Sequence, residues 1–189
     1  MENILQALRD VPAAWVGLLG VIFGSLLTTL GVWLTNQSNA KNIKVQLEYD
    51  EKLYRQRVTK ERLEELYILV CHWQHAMFSN FINLTLVMEG HTDYNQYLDS
   101  ISASKPKDGI DFNRLEMILD VYGTKVHDAH DEAIKIREKI NVIINDHKAA
   151  YRRGEPGHRF LPQFRQAQLE FENACDLLKA AIAESARNA

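Results

Sequence analysis

The hydrophobic positions of this chain begin with one uninterrupted apolar block near the amino terminus. Residues 13–35 contain no charged side chain, and the stretch without Asp, Glu, Lys or Arg extends from Val11 to Ala40. The 23 residues of the block, if helical, cover about 34 Å, slightly more than the roughly 30 Å hydrocarbon core of a bilayer. Trp15 and Trp33 lie near its two ends, where an indole ring favours the membrane interface. The pattern predicts a short tail over residues 1–12 and one transmembrane helix over residues 13–35.

Two other interpretations of the block stay open. A cleaved signal peptide is disfavoured because Glu2 and Asp10 outweigh Arg9, and because the apolar run exceeds the about 7 to 15 residues of a signal core. Residues 38–40 nevertheless match a small-x-small cleavage site, which keeps secretion as an alternative. The other alternative is a buried helix of a soluble protein, although such a helix is seldom apolar on every side over this length.

Basic residues are distributed unevenly around the block. Arg9 and the α-amine precede it, whereas the following segment carries Lys41, Lys44, Lys52, Arg55 and Arg57. Because positive side chains favour the cytoplasmic side, the amino terminus is expected outside and the remainder of the chain in the cytoplasm. The two cysteines, Cys71 and Cys175, fit a reducing compartment and lack the spacing of a metal site.

After the block, the pattern is helical without an obvious stop from Asn36 to Met88. Residues 36–62 carry many charges of both signs and predict a charged helical neck that follows the apolar block. Residues 63–189 predict a helical bundle. Residues 66–88 lack formal charge, but their histidine, glutamine and asparagine side chains argue against a second span, so a helix buried centrally in the bundle is expected. Its apolar seam consists of Leu63, Leu66, Val70, Trp73, Met77, Phe81, Leu84 and Met88.

The rest of the chain predicts further helices and no strand. Residues 89–109 read as a connection with one short helix around Tyr94 to Ile101. Asp111 is expected to cap a long helix, kinked at Gly123, and a last helix follows Pro162. The long helix carries Leu115, Ile118, Tyr122, Val126, Ala129, Ala133, Ile136, Ile140 and Ile143 on one face, and the last carries Phe164, Ala167, Phe171, Ala174, Leu178 and Ile182. The predicted fold is all-α: a transmembrane helix continuing into an antiparallel bundle of three or four helices.

Composition limits the classes of partner that this chain is expected to bind. Lys and Arg total 22 against 25 acidic residues, a formal charge of -3, so no global basic field recruits DNA or other nucleic acid. The sequence contains no glycine-rich phosphate loop and no internal repeat.

Small residues recur along one side of the predicted span: Gly17, Gly20, Gly24, Thr28 and Gly31. Such a stripe lets neighbouring helix backbones approach closely, which predicts self-association. The alternative is that glycine is simply common in membrane helices. Because each chain supplies one span, a channel would require several copies.

Two histidine pairs have the three-residue spacing that places both rings on one helix surface. They are His72 with His75, and His127 with His130. Facing pairs could hold zinc or iron. Histidines satisfied by the carboxylates beside His127 and His130 explain the pattern equally well, and no metal is predicted.

The most distinctive polar segment is YRRGEPGHRF, residues 151–160. Arg153 and His158 are separated by four residues, and this spacing resembles the Arg-x4–6-His motif of the HEPN superfamily of helical ribonucleases. The resemblance implies that arginine holds the scissile phosphate while histidine assists attack by the ribose 2′-hydroxyl, across a dimer and without a metal. Here Gly154, Pro156 and Gly157 predict a turn, where the family has helix. A solvated loop that complements a helix dipole is the alternative.

The whole layout resembles the small membrane accessory protein of type VI-B CRISPR systems, in the single membrane helix, the helical bundle and the Arg153 and His158 spacing. The resemblance implies a ring-shaped pore in the bacterial inner membrane that depolarises the infected cell, with RNA or an RNA-guided nuclease as partner and without a bound cofactor. It implies packing of neighbouring anchors through Gly17, Gly20 and Gly24, and a structural or regulatory role for Arg153 and His158. The alternatives are a membrane-tethered, metal-independent ribonuclease and a non-catalytic membrane scaffold for a cytoplasmic partner.

Overall fold

The structure, a computed structural model, describes residues 13–103 and 111–189. The predicted tail, residues 1–12, and residues 104–109 at the end of the predicted connection lie outside the described residues. The described residues contain no strand, which confirms the all-α class. Their helices are α1 (Ala13–Met88), α2 (Tyr94–Ala103), α3 (Phe112–Tyr122), α4 (His127–Arg152), a 3-10 helix (Gly157–Phe160) and α5 (Leu161–Arg187).

The chain divides into two compact units, one ending at Tyr54 and the other beginning at Arg55. The described part of the first unit is helical throughout, and its side chains are exposed from Trp15 onward. Val21 and Leu27, for example, are both 70% exposed. Its apolar residues therefore have no cover within the described chain.

Hydroxyl groups in the apolar block are satisfied inside the helix. Thr28 Oγ1 donates to the Gly24 carbonyl at 2.8 Å, and Thr35 Oγ1 donates to the Gly31 carbonyl at 2.8 Å. Ser25 and Thr29 bond in the same way to carbonyls three and four residues earlier. Such bonds remove the cost of an unpaired hydroxyl in an apolar environment.

The second unit is a helical bundle with a largely aromatic centre. The Trp73 and Phe171 rings meet edge to face with centroids 5.3 Å apart, and Phe81 contacts Phe171 at 5.8 Å and Phe164 at 5.7 Å. All six positions predicted on the face of the last helix are buried in α5. In the α1 seam, seven of the eight predicted residues are buried and Met77 is partly buried against the core.

Polar contacts at the rim of the bundle fix the direction of α5. Arg165, near the start of α5, donates to Glu89, just after α1, at 2.8 Å. Lys179, late in α5, donates to Gln74, earlier in α1, at 2.9 Å. The two helices are therefore antiparallel. Glu65 pairs with Arg114 and so ties α1 to α3.

Asp111 caps α3 as predicted, because its side chain accepts the Arg114 N–H at 2.9 Å. The expected kink at Gly123 is wrong: the helix ends there. The Gly123 N–H closes the last turn on the Leu119 carbonyl at 2.7 Å, and a Cβ at position 123 would stand 2.7 Å from that oxygen. One predicted helix is thus two, α3 and α4, with Val126 buried at their junction.

The helix expected at the centre of the bundle, residues 66–88, is instead buried on one side only. Ile68 is 54% and Ile82 63% exposed, and His72 and His75 face solvent on the same surface. The seam spacing of three and four covers one stripe of a helix, and no other described element packs on the opposite stripe. Of the polar residues that argued against a membrane span, His72 and His75 are exposed, whereas Gln74, Asn80 and Asn83 are half-buried.

Candidate functional site

The small-residue stripe lies in the open part of α1. A Cβ built at Gly17, Gly20, Gly24 or Gly31 would meet nothing within 4 Å. The Thr28 hydroxyl, bonded to the Gly24 carbonyl, is held against its own helix. The stripe is therefore flat and uncovered by the described chain, as a close helix–helix contact requires.

Trp15 and Trp33, the predicted interface anchors, are both exposed near the ends of the apolar block. The helix that carries them contains a stretch with mean hydropathy of 1.9, none of which is buried. By length and composition this helix can cross a membrane.

The segment with Arg153 and His158 forms the predicted turn. Gly154 has φ +73°, a left-handed conformation that favours glycine, and its N–H bonds to the Tyr151 carbonyl at 2.9 Å. Arg153 ends α4, whereas His158 lies on the 3-10 helix and is exposed. The turn thus places the two residues on different elements.

Arg153 forms an ion pair with a neighbouring carboxylate. Its guanidinium donates to Glu155, which also pairs with Arg159. The Arg153 guanidinium is the main cause of the lowered pKa of the Glu155 carboxyl. The guanidinium that would hold a phosphate is therefore already paired with a carboxylate within the turn.

Beside this turn is an open hollow of about 440 Å³. Its walls are formed by Asp146, Ala149, Arg153, Arg159, Phe160 and Gln163. The hollow offers cations to an anionic group, but His158 is not among the residues that line it. Within one chain, a proton-transferring imidazole and the Arg153 guanidinium do not share this hollow.

The histidine pairs do not form a ligand cluster in the described residues. His72 and His75 face solvent. His127 lies 4.0 Å from Asp120, and His130 lies 3.4 Å from Asp131, as expected for histidines beside carboxylates. Among residues 13–103 and 111–189, no group of three or more His, Cys, Asp or Glu side chains is arranged to hold a metal.

Sequence reasoning missed His147, the fully buried polar residue of the core. Its Nδ1 lies 2.9 Å from the Tyr94 hydroxyl, and its ring packs against those of Tyr94, Tyr151 and Phe160 with centroids 5.6, 6.5 and 5.4 Å away. His147 follows Ile143 by four residues and precedes Ala150 by three, so helical spacing already places it on the apolar face of α4. That position on the apolar face was the signal in the sequence that could have identified His147 as a buried residue.

The second nitrogen of this ring, Nε2, is buried and has no hydrogen-bond partner among the described residues. An unsatisfied buried polar atom costs about 1 to 3 kcal/mol. Burial lowers the pKa of His147, and burial is also the largest cause that raises the pKa of Tyr94 to about 12. Both groups are therefore neutral near pH 7.

Gly157 covers the unsatisfied nitrogen. A Cβ at this position would stand 2.6 Å from His147 Nε2 and 2.9 Å from the Met88 carbonyl oxygen, closer than real Cβ contacts come. Only glycine lets the backbone of the turn approach both atoms. The histidine, the end of α1 and the 3-10 helix therefore meet at one point.

Comparison with known protein families, curated proteins and solved structures finds no match to this chain.

Proposed function

We propose that this chain is a single-span membrane protein whose membrane helices associate into a homo-oligomeric, gated pore. The observation that carries the proposal is the uncharged, apolar block of α1, which no other described element covers, with its flat small-residue stripe. Each part of that observation supports one step.

The first step is insertion into lipid. Eleven Leu, Ile, Val or Phe side chains lie in residues 13–35. Leaving them in water forfeits about 1 kcal/mol each, on the order of 10 kcal/mol in total, which is comparable with the stability of a whole domain. Because the hydroxyls bond within the helix, lipid can take the place of water without leaving those groups unpaired.

The second step is association. Dispersion contacts hold membrane helices together only where their backbones approach closely, and glycine provides that approach. Gly20 and Gly24 lie one turn apart on the stripe, and neither is covered by another described side chain. One span cannot enclose a channel, so a pore requires several copies.

The antiviral setting, the inner-membrane orientation and an RNA-guided nuclease as trigger come from the resemblance to the type VI-B accessory proteins. They stay predictions. The placement of Arg153 against Glu155 supports a structural role for that residue in the turn over a catalytic one.

The experiment is inducible expression in bacteria with a potential-sensitive dye and parallel mass measurement of the detergent-extracted particle. We expect wild-type protein to lower the membrane potential and to extract as an oligomer. Gly20→Leu and Gly24→Leu are expected to abolish both effects, because a branched side chain separates the helices. Leu26→Phe adds bulk on the opposite side of the helix and serves as the matched control.

An unchanged potential together with a monomeric mass would contradict the proposal. An unchanged potential with protein in the membrane fraction would instead favour the scaffold. Protein that stays in the soluble fraction would overturn insertion itself.

A further inference from the structure

We propose that His147 is a proton-operated latch that holds the turn containing Gly157 on the bundle and releases it on acidification. The proposal does not depend on the pore. It concerns residues 153–160, the segment that carries both Arg153 and His158.

The closed state depends on a neutral imidazole. One ring nitrogen, Nδ1, is hydrogen bonded to the Tyr94 hydroxyl at 2.9 Å, and the other, Nε2, faces the Gly157 backbone without a partner. A neutral ring needs only one of its nitrogens to donate, whereas imidazolium has two donors. In the closed turn, the second donor of imidazolium has no acceptor.

Among the described residues that contact the ring, none carries a negative charge. From α2 the ring meets the Tyr94 hydroxyl, and from α4 it meets the Tyr151 ring. From the 3-10 helix it meets Gly157 and Phe160, and the end of α1 presents the Met88 carbonyl at the same point.

Two carboxylates that flank these elements pair with other groups. Glu89, which follows α1, pairs with Arg165. Glu155 pairs with Arg153 and Arg159. Among the described residues, none of the carboxylates pairs with His147, and the neighbouring His158 is exposed. A proton on His147 therefore meets aromatic rings and a backbone rather than a counter-ion.

Opening the turn removes this penalty. When the Gly157 backbone lifts away, water reaches Nε2, and the imidazolium is solvated. The pKa of His147 is lowered in the closed state because the ring is buried there, and it returns toward about 6.5 in the open state. Protonation consequently favours the open state. At pH 5.5, one unit below the open-state pKa, the opening equilibrium rises relative to pH 7.5 by up to about tenfold, the limit for a closed-state ring that stays unprotonated.

The test is hydrogen exchange of full-length protein in detergent at pH 7.5 and 5.5, read from peptides that cover residues 155–161 and divided by the intrinsic exchange rate at each pH. These peptides include the Leu161 N–H, which bonds to the His158 carbonyl in the closed turn. We expect the protection factor of the segment to fall at pH 5.5, by up to about tenfold. Peptides from the middle of α5 are expected to change little.

Four variants separate the latch from other titrations. His147→Phe keeps an aromatic ring and removes the proton, so the pH effect should vanish, whereas His158→Gln removes the exposed histidine of the same segment and should retain it. Gly157→Ala places a methyl group against Nε2 and should open the turn already at pH 7.5. Gly154→Ala is the matched control, since its Cβ meets nothing within 4 Å and it strains the turn without touching the ring.

Equal protection of the wild-type segment at both pH values would overturn the latch. So would a tenfold pH effect that persists in His147→Phe. Should that variant fail to fold, the glycine pair decides: a pH effect of the same size in Gly157→Ala and Gly154→Ala would count against a role for the ring.

Discussion

Truncation of Phe171 tests whether the aromatic centre stabilises the bundle. The Phe171 ring is fully buried on α5 and meets Trp73, Phe78 and Phe81 with centroids 5.3, 6.3 and 5.8 Å away. Removing a buried phenyl ring costs about 3 to 5 kcal/mol through lost transfer energy and the cavity that remains. Such a loss is a large part of the 5 to 15 kcal/mol that typically holds a domain together. Phe171→Ala should therefore bring the bundle close to unfolding.

The assay is urea denaturation in detergent, followed by the fluorescence of Trp73 in protein whose other two tryptophans, Trp15 and Trp33, are phenylalanine. Leu169→Ala is the matched control, because Leu169 lies on the same helix and is 56% exposed. The control should change the free energy of unfolding by less than about 1 kcal/mol. A Phe171→Ala effect no larger than that of the control would refute the packing argument.

Three further predictions follow from the second unit. The folded-state pKa of His147 is lowered, so its contribution to stability is complete above about pH 6.5. That contribution is lost as the pH falls below about 6.5, by up to about 1.4 kcal/mol per pH unit. Denaturation of wild type and His147→Phe at pH 7.5 and 5.5 measures this loss as the difference between the two proteins. Asp111→Ala should lower stability by about 0.5 to 2 kcal/mol through loss of the cap on the Arg114 N–H, measurable by thermal unfolding. Burial raises the pKa of Cys175 to about 12, so native protein should react with iodoacetamide at Cys71 well before Cys175. Mass spectrometry measures the two rates, and equal rates would contradict the burial of Cys175.

Helical periodicity explains why most of the bundle could be predicted. Phe164, Phe171 and Leu178 recur every seven residues, and this spacing places them on the same face whatever packs against it. The cap at Asp111 is equally local, because it depends on a side chain and an N–H three residues later. Such features require no knowledge of the partner element.

Where sequence reasoning failed, the outcome depended on a contact between distant or backbone atoms. α3 ends at Tyr122 with Gly123 as its cap, where a Cβ would stand 2.7 Å from the Leu119 carbonyl oxygen, whereas the pattern of apolar residues continues across this position. His147 shares the apolar spacing of α4, but its partner Tyr94 is 53 residues away. The spacing of Arg153 and His158 likewise does not reveal that Glu155 forms an ion pair with Arg153.

The internal hydrogen bond of Thr28 has a consequence for how the apolar block tolerates change. Since the hydroxyl donates its hydrogen to its own helix backbone, it has none to donate to a neighbouring helix. Such a helix would contact the residue through its volume. Valine, which has nearly the shape of threonine, would then serve at this position, and a helix–helix contact formed there would be one of shape alone.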